Sequence, residues 1–197
     1  MNASIIILAG GKSSRMKRDK AFVTVGNQPL IERIIDKVKN DFQEIIVVTN
    51  RPGAYDYLQV KVVSDLIPGL GPLSGMHAGL ICSTSNYNLV VACDMPFVST
   101  QLASLMLEEA PGYDVVAVRT ADGLQPLHGI YGKDCIPVIE TALKGEARKI
   151  THIYPYLNVK VIEAEKLAAW GITGEVFFNV NTPEDLERAN SIVGKLD

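Results

Sequence analysis

Five cations, Lys12, Arg15, Lys17, Arg18 and Lys20, crowd into one short stretch just after the paired glycines Gly10 and Gly11. Only Asp19 opposes them, so residues 12–20 carry +4 on a chain whose formal net charge is −3, and the remainder is at −7. Glycine lets a backbone approach a ligand closely and adopt positive φ. Amides turned inward in such a loop form a concave anion site. A compact positive loop on an acidic chain points to a polyphosphate ligand rather than a nucleic-acid surface. The bland alternative is a solvated basic loop; the apolar run at residues 4–8, feeding straight into the glycines, argues against it.

Two familiar phosphate-binding motifs do not fit. Gly11-Lys12-Ser13 resembles the end of a Walker A loop, but Ile6 stands where that motif needs its first glycine. Gly69-Leu70-Gly71-Pro72-Leu73-Ser74 has two glycines of a dinucleotide fingerprint, with Ser74 in place of the third.

Carboxylates and amides supply the rest of the candidate chemistry. Asp94 follows an apolar run and precedes Pro96, which cannot continue a strand ladder. An acid there, near a cationic loop, suits Mg²⁺, which takes one or two carboxylates plus phosphate oxygens and water. Asp65 either binds a ribose or base edge or closes a turn. Asn179 and Asn181 are two apart, so in an extended chain both face one way; they read equally as metal-supporting amides or as turn residues. Gln125, beside Pro126, marks a possible substrate-recognition strand. His77, His128 and His152 are scattered without metal-ligand spacing and read as structural or surface residues. No nucleophile–histidine–acid triad is evident. Phosphoryl-type transfer needs none, because positioning and charge neutralisation carry most of the effect; Arg15 and Lys20 suit that task beside a metal on Asp94.

These residues have to be positioned by an α/β alternation. Strands are expected at residues 4–8, 21–25, 44–49, 60–63, 88–93, 114–118, 127–131, 159–162 and 176–180. Helices are expected at 29–38, with Pro29 at the first helical position, and at 73–82, 99–109 and 134–144. In the third of these, Leu102, Leu105 and Met106 should face inward. A last helix should be capped by Thr182 with Pro183 following. The uniformly apolar run Ile45-Ile46-Val47-Val48 fits a parallel strand covered on both faces. The pattern predicts a doubly wound, mostly parallel sheet, with ligands at the carboxyl ends of the strands. There the glycine loop, Asn50, Asp65 and Asp94 would collect. With 197 residues the chain reads as a single domain, 1–197. It shows no run long enough to cross a bilayer and no secretory signal. Cys82, Cys93 and Cys135 are odd in number and without a CxxC, which fits reduced thiols and a cytoplasmic protein.

The stretch Leu8-Ala9-Gly10-Gly11-x-Ser13-x-Arg15-Met16-x-x-Asp19-Lys20 resembles the signature of nucleotidyltransferases with the Rossmann-like nucleotide-diphospho-sugar transferase fold. Four further stretches resemble the molybdenum cofactor guanylyltransferases (MobA). They are Val63-Ser64-Asp65, Gly69-Leu70-Gly71-Pro72-Leu73-Ser74-Gly75, Cys93-Asp94-Met95-Pro96-Phe97 and Asn179-Val180-Asn181-Thr182-Pro183-Glu184. They run in order across nearly the whole chain. One residue departs from the pattern: Lys17 stands where the family usually has glycine.

The resemblance implies an Mg²⁺-dependent transfer of GMP from GTP to the phosphate of molybdenum-molybdopterin, releasing pyrophosphate. By position it implies that Leu8, Ala9, Gly10 and Gly11 line the nucleotide site with Asn50 and Asp65. Lys20 would contact phosphates, with Arg15 as a further catalytic cation, and Asp94 would bind the metal. Asn179, Asn181, Gln125 and Arg148 would lie toward the pterin. Partners would be GTP, the molybdopterin cofactor and, transiently, cofactor-handling proteins and apo-molybdoenzymes, with no nucleic acid and no membrane. Two alternatives stand beside this: a related transferase using GTP or CTP on another phosphorylated acceptor, and a nucleotide-binding regulator without catalysis.

Overall fold

Strand and helix alternate along most of the chain. In order, the elements are β1 (Ser4–Leu8), β2 (Thr24–Val25), β3 (Gln28–Pro29), α1 (Leu30–Val38), β4 (Glu44–Val48), β5 (Lys61–Val63), α2 (Pro72–Cys82), β6 (Tyr87–Ala92), α3 (Thr100–Glu108), β7 (Val115–Thr120), β8 (Gly123–Gly132), α4 (Ile136–Lys144), β9 (Val159–Ile162), α5 (Ala164–Ala169) and α6 (Pro183–Val193), with short 3₁₀ turns between them. The structure, a computed structural model, describes residues 1–10, 20–67 and 69–194.

Seven strands form one sheet in the order β5-β4-β1-β6-β8-β7-β9. Its pairs are parallel except those of β8, which runs antiparallel to both β6 and β7. The sheet is thus mostly parallel, as the uniformly apolar runs predict. Period-2 alternation sorts the strand side chains between two faces. Ile5, Ile7, Val47 and Val91 pack with Ile31 and Ile34 of α1, Leu102 and Met106 of α3, and Leu167 of α5. Ile6, Ile46, Val48 and Val90 pack with Met76 and Leu80 of α2 and Ile139 and Leu143 of α4. Because both faces are covered, every side chain of β1 is buried.

α2 sits unusually close to this sheet. A Cβ at Gly79 would lie 2.4 Å from Cγ2 of Ile6, so a bare backbone is required at that crossing. A third, smaller core joins the β2–β3 hairpin to α6 through Val23, Val25, Leu30, Val180, Ala189 and Val193.

Four local expectations are corrected. Residues 21–25 are not one extended run: Lys20–Phe22 is a 3₁₀ turn, followed by the two-residue strand β2. Gly26, at φ 63°, then reverses the chain into β3. Pro29 ends that hairpin and caps α1 from outside, so the helix begins at Leu30. Leu105 is half-buried, and Ala103 takes the inward position with Leu102 and Met106. Residues 176–180 form no strand. Gly174–Phe177 is a 3₁₀ turn, and the chain beyond crosses the end of β6, where the Val180 amide donates to the Asp94 carbonyl at 2.9 Å. The apolar character of Val176, Phe177 and Val180 reflects burial against the cores rather than sheet pairing.

Candidate active site

β1 lies between β4 and β6, so its carboxyl end is flanked by whatever those two strands deliver. Leu8 and Ala9 are buried there. The Ala9 amide donates to the Val48 carbonyl at 2.8 Å, and the Cys93 amide donates to the Leu8 carbonyl at 3.0 Å. Tyr55, fully buried, reaches the Ala9 carbonyl through its hydroxyl at 3.4 Å. Gly10 emerges exposed from this anchored strand end.

On the β4 side stand Asn50 and Asp65. The Asn50 Nδ2 donates to Asp65 Oδ2 at 3.1 Å. Gly10 lies beside them, since a Cβ there would come 3.9 Å from Asn50 Nδ2. Gly75, on the first turns of α2, closes the group: a Cβ would lie 3.4 Å from Asp65 Oδ1 and 3.3 Å from Leu8 Cδ2. The Gly-Pro-Leu-Ser-Gly stretch therefore lets α2 begin directly under Asp65. Gly71, at φ 71°, makes the entering turn, and its α-carbon faces the Arg148 carbonyl closely enough that a Cβ would lie 3.4 Å away.

On the β6 side stand Lys20, Asp94 and Asn181. Asp94 follows the strand in a turn closed by the Met95 amide on the Ala92 carbonyl. Ser99, not Asp94, caps α3, its hydroxyl accepting from the Leu102 amide at 3.1 Å; the carboxylate is left free for other chemistry. Lys20 Nζ donates to Asp94 Oδ2 at 2.9 Å and also to Asn181 Oδ1. The side chains of this ion pair are 24% and 15% exposed, so the charges are only partly screened by water. Asn181 is held by its own neighbours: its amide and that of Thr182 both donate to Asp185, in a capping box that starts α6. Those two amides hold the Asp185 carboxyl below its ordinary pKa, the Asn181 amide contributing most.

The structure thus brings together Leu8, Ala9, Gly10, Asn50 and Asp65 as one group and Lys20, Asp94 and Asn181 as another, on either side of the β1 end. Three expected pterin-side residues stand apart. Asn179 turns its amide onto the Phe177 carbonyl at 3.1 Å. Gln125 bonds Thr120 Oγ1 and the Gly123 carbonyl and so braces the β7–β8 hairpin. Arg148 meets the α2 turn through its backbone, its carbonyl accepting from Leu73 at 3.4 Å. Gly11, Arg15 and Lys17 lie outside the described residues. The support from Tyr55 to Ala9 was not anticipated; a tyrosine in a polar loop carries no spacing signal. Among the described residues there is no group of three or more His, Cys, Asp or Glu side chains able to hold a metal by themselves.

A family model for the MobA-like NTP transferase domain matches residues 5–159. The chain belongs to the MobA-like NTP transferase family. A relative from Pelotomaculum thermopropionicum, named a probable molybdenum cofactor guanylyltransferase, is 42% identical over 96% of this chain and 92% of its own length. A molybdenum cofactor guanylyltransferase from Desulfosudis oleivorans is 33% identical over 95% and 94%. Among solved structures, the molybdopterin-guanine dinucleotide biosynthesis protein A from Archaeoglobus fulgidus superposes with a TM-score of 0.86 at 30% identity, covering 98% of this chain and 99% of that one. The MobA-like assignment agrees with the motifs that suggested it, and so does the fold. The chain is a nucleotidyltransferase by family. Among the described residues no helix is long and apolar enough to cross a membrane.

Proposed function

We propose that this protein transfers GMP from GTP to the phosphate of molybdopterin, giving the guanine dinucleotide cofactor and pyrophosphate. The observation that carries the reading is the Lys20 amine held between Asp94 and Asn181 at the end of the central strand, beside the Gly10 loop entrance. It is supported by relatives named for this activity over nearly the whole chain.

The two groups of residues divide the work. Asn50 and Asp65, with the buried Leu8–Ala9 backbone and Gly10, offer hydrogen-bonding partners and a bare approach for the nucleoside. Lys20 meets the phosphates. Its cation is already placed by two oxygen partners, so little reorganisation is needed as negative charge builds on the transferring and leaving groups. Transfer follows from attack by a molybdopterin phosphate oxygen on the α-phosphorus, with the α–β bridging P–O bond breaking and the pyrophosphate leaving in line. Arg15 is proposed as a second cation for that charge.

The donor set fits Mg²⁺: a carboxylate oxygen on Asp94 and an amide oxygen on Asn181 are hard ligands, too few for a closed protein cage, as expected for a metal completed by phosphates and water. Asp94 would hold the ion, which when bound would neutralise phosphate charge. Gln125, Arg148 and Asn179 are proposed to serve the pterin side, Arg148 from the α2 turn. Cys82, Cys93 and Cys135 form no disulfide, which fits a reducing cytoplasm. Transient contact with cofactor-handling proteins and apo-molybdoenzymes would follow from the product's destination.

The test is pyrophosphate release with Mg²⁺, offering GTP, CTP, ATP and UTP with and without extracted molybdopterin. Release only with GTP and the pterin together is expected. Release with CTP alone among the four would overturn the base assignment, and GTP binding without release would overturn the acceptor.

A further inference from the structure

His128 lies in β8, yet its backbone is in the left-handed region at φ 58°. That region is costly for a residue with a side chain and persists where the surroundings over-determine it. The cause is visible in the register. β7 and β8 pair at Val116–Ile130 and again at Val118–Gln125. One residue of β7 lies between those pairs, against residues 126–129 of β8. The bulge turns the His128 ring inward, where it is completely buried.

Two contacts define that ring. Nε2 accepts the backbone N–H of Ser99 at 3.1 Å. An accepting Nε2 places the ring proton on Nδ1, which has no partner among the described residues. The ring also stands edge-on to Phe177, with centroids 5.9 Å apart and planes at 69°. Ser99 ends the segment that begins at Asp94. Phe177 begins the segment that carries Val180 onto the Asp94 carbonyl and Asn181 onto Lys20. One side chain therefore braces both segments that meet at Lys20. On its outer side the first segment borders an open cleft of about 560 Å³ through Pro96, Phe97 and Ser99.

We propose that His128 is a positioning residue that fixes Asp94 and Asn181 relative to Lys20 by accepting the Ser99 amide and packing on Phe177. It touches neither substrate nor reacting atoms. As a role in transfer, this rests on the functional reading above; as a structural claim it stands alone.

The experiment compares wild type with H128Q, whose amide oxygen can replace Nε2 as acceptor, and H128M, which fills similar space without a comparable acceptor. Each is measured well below its unfolding midpoint in two ways: by the ¹H–¹⁵N signals of the Asp94 backbone and the Asn181 side-chain amide, and by kcat and KM for transfer from GTP. H128M is expected to displace both signals and to lower kcat at least tenfold, with KM for GTP within threefold of wild type. H128Q is expected to return both signals and at least half of kcat. Unmoved signals and unchanged kcat in H128M would overturn the proposal. So would H128Q behaving like H128M, which would reduce His128 to a space-filling role. F177L, which leaves the Ser99 acceptor in place, serves if H128M does not fold; it should displace the Asn181 signal, and an unmoved signal would overturn the second contact. A wild type that transfers no nucleotide would sink the functional reading, while the signals would still decide the bracing.

Discussion

Burial sets the protonation of His128, and with it a pH dependence that belongs to one residue. Desolvation pushes its pKa down from 6.5 to about 4. The unfolded chain therefore binds this proton near pH 6.5, while the folded chain does so only near 4. Between those values the unfolded state holds more protons, so stability falls as pH falls. The full effect is about 3 kcal/mol. The lowered carboxylates Asp36, Glu44, Glu109 and Asp185 start from ordinary values of 3.8 to 4.5 and lose their contribution only further down. Urea unfolding followed from pH 7 to 5 should show a decline in wild type that is largely absent in H128Q. An equal decline in both would mean that the ring is not held neutral by burial.

Two contrasting glycine and cap positions test how the elements deliver the site. Gly79 permits α2 to lie against Ile6, and an alanine there would force a side chain into space already filled. G79A should cost about 1–3 kcal/mol, the usual range for overpacking, with the loss shared across the α2 face. Thr182 starts α6 through its hydroxyl and the reciprocal Asp185 bond. T182A should cost about 1 kcal/mol and, unlike G79A, should loosen the backbone that presents Asn181. Thermal unfolding with amide exchange at Asn181 separates the two: faster exchange is expected in T182A and near-wild-type exchange in G79A at equal distance below the midpoint. Most of these elements were readable beforehand, because the 3.6-residue stripe of α1, the apolar run of β4 and the Thr182-Pro183 start of α6 are local signals. The absence of a strand at 176–180 was not readable. An apolar run reports burial, and in this chain burial comes from two cores rather than from a neighbouring strand.

At the scale of the molecule, the sheet order places β1 between the strands that deliver Asn50 and Asp94. That explains how residues far apart in sequence meet beside the glycine loop. The glycine loop, Asn50, Asp65 and Asp94 were expected at one sheet edge; the partnership of Lys20 and Asp94 with Asn181 was not. Nothing in the spacing of Lys20, Asp94 and Asn181 announces that one amine will bridge the other two, because the contact spans 161 positions in the chain. Asn179 and Gln125 stand apart from the two groups for the same reason: amide side chains look alike in sequence, and only the folded backbone decides which neighbours they bond.

The most direct test of the account is pyrophosphate release from GTP and molybdopterin by wild type and D94A, each shown folded by its thermal transition. The account predicts that D94A folds as wild type does and that its turnover falls to background. Turnover within a few-fold of wild type would contradict it, because the carboxylate that pairs with Lys20 would then have no part in the transfer.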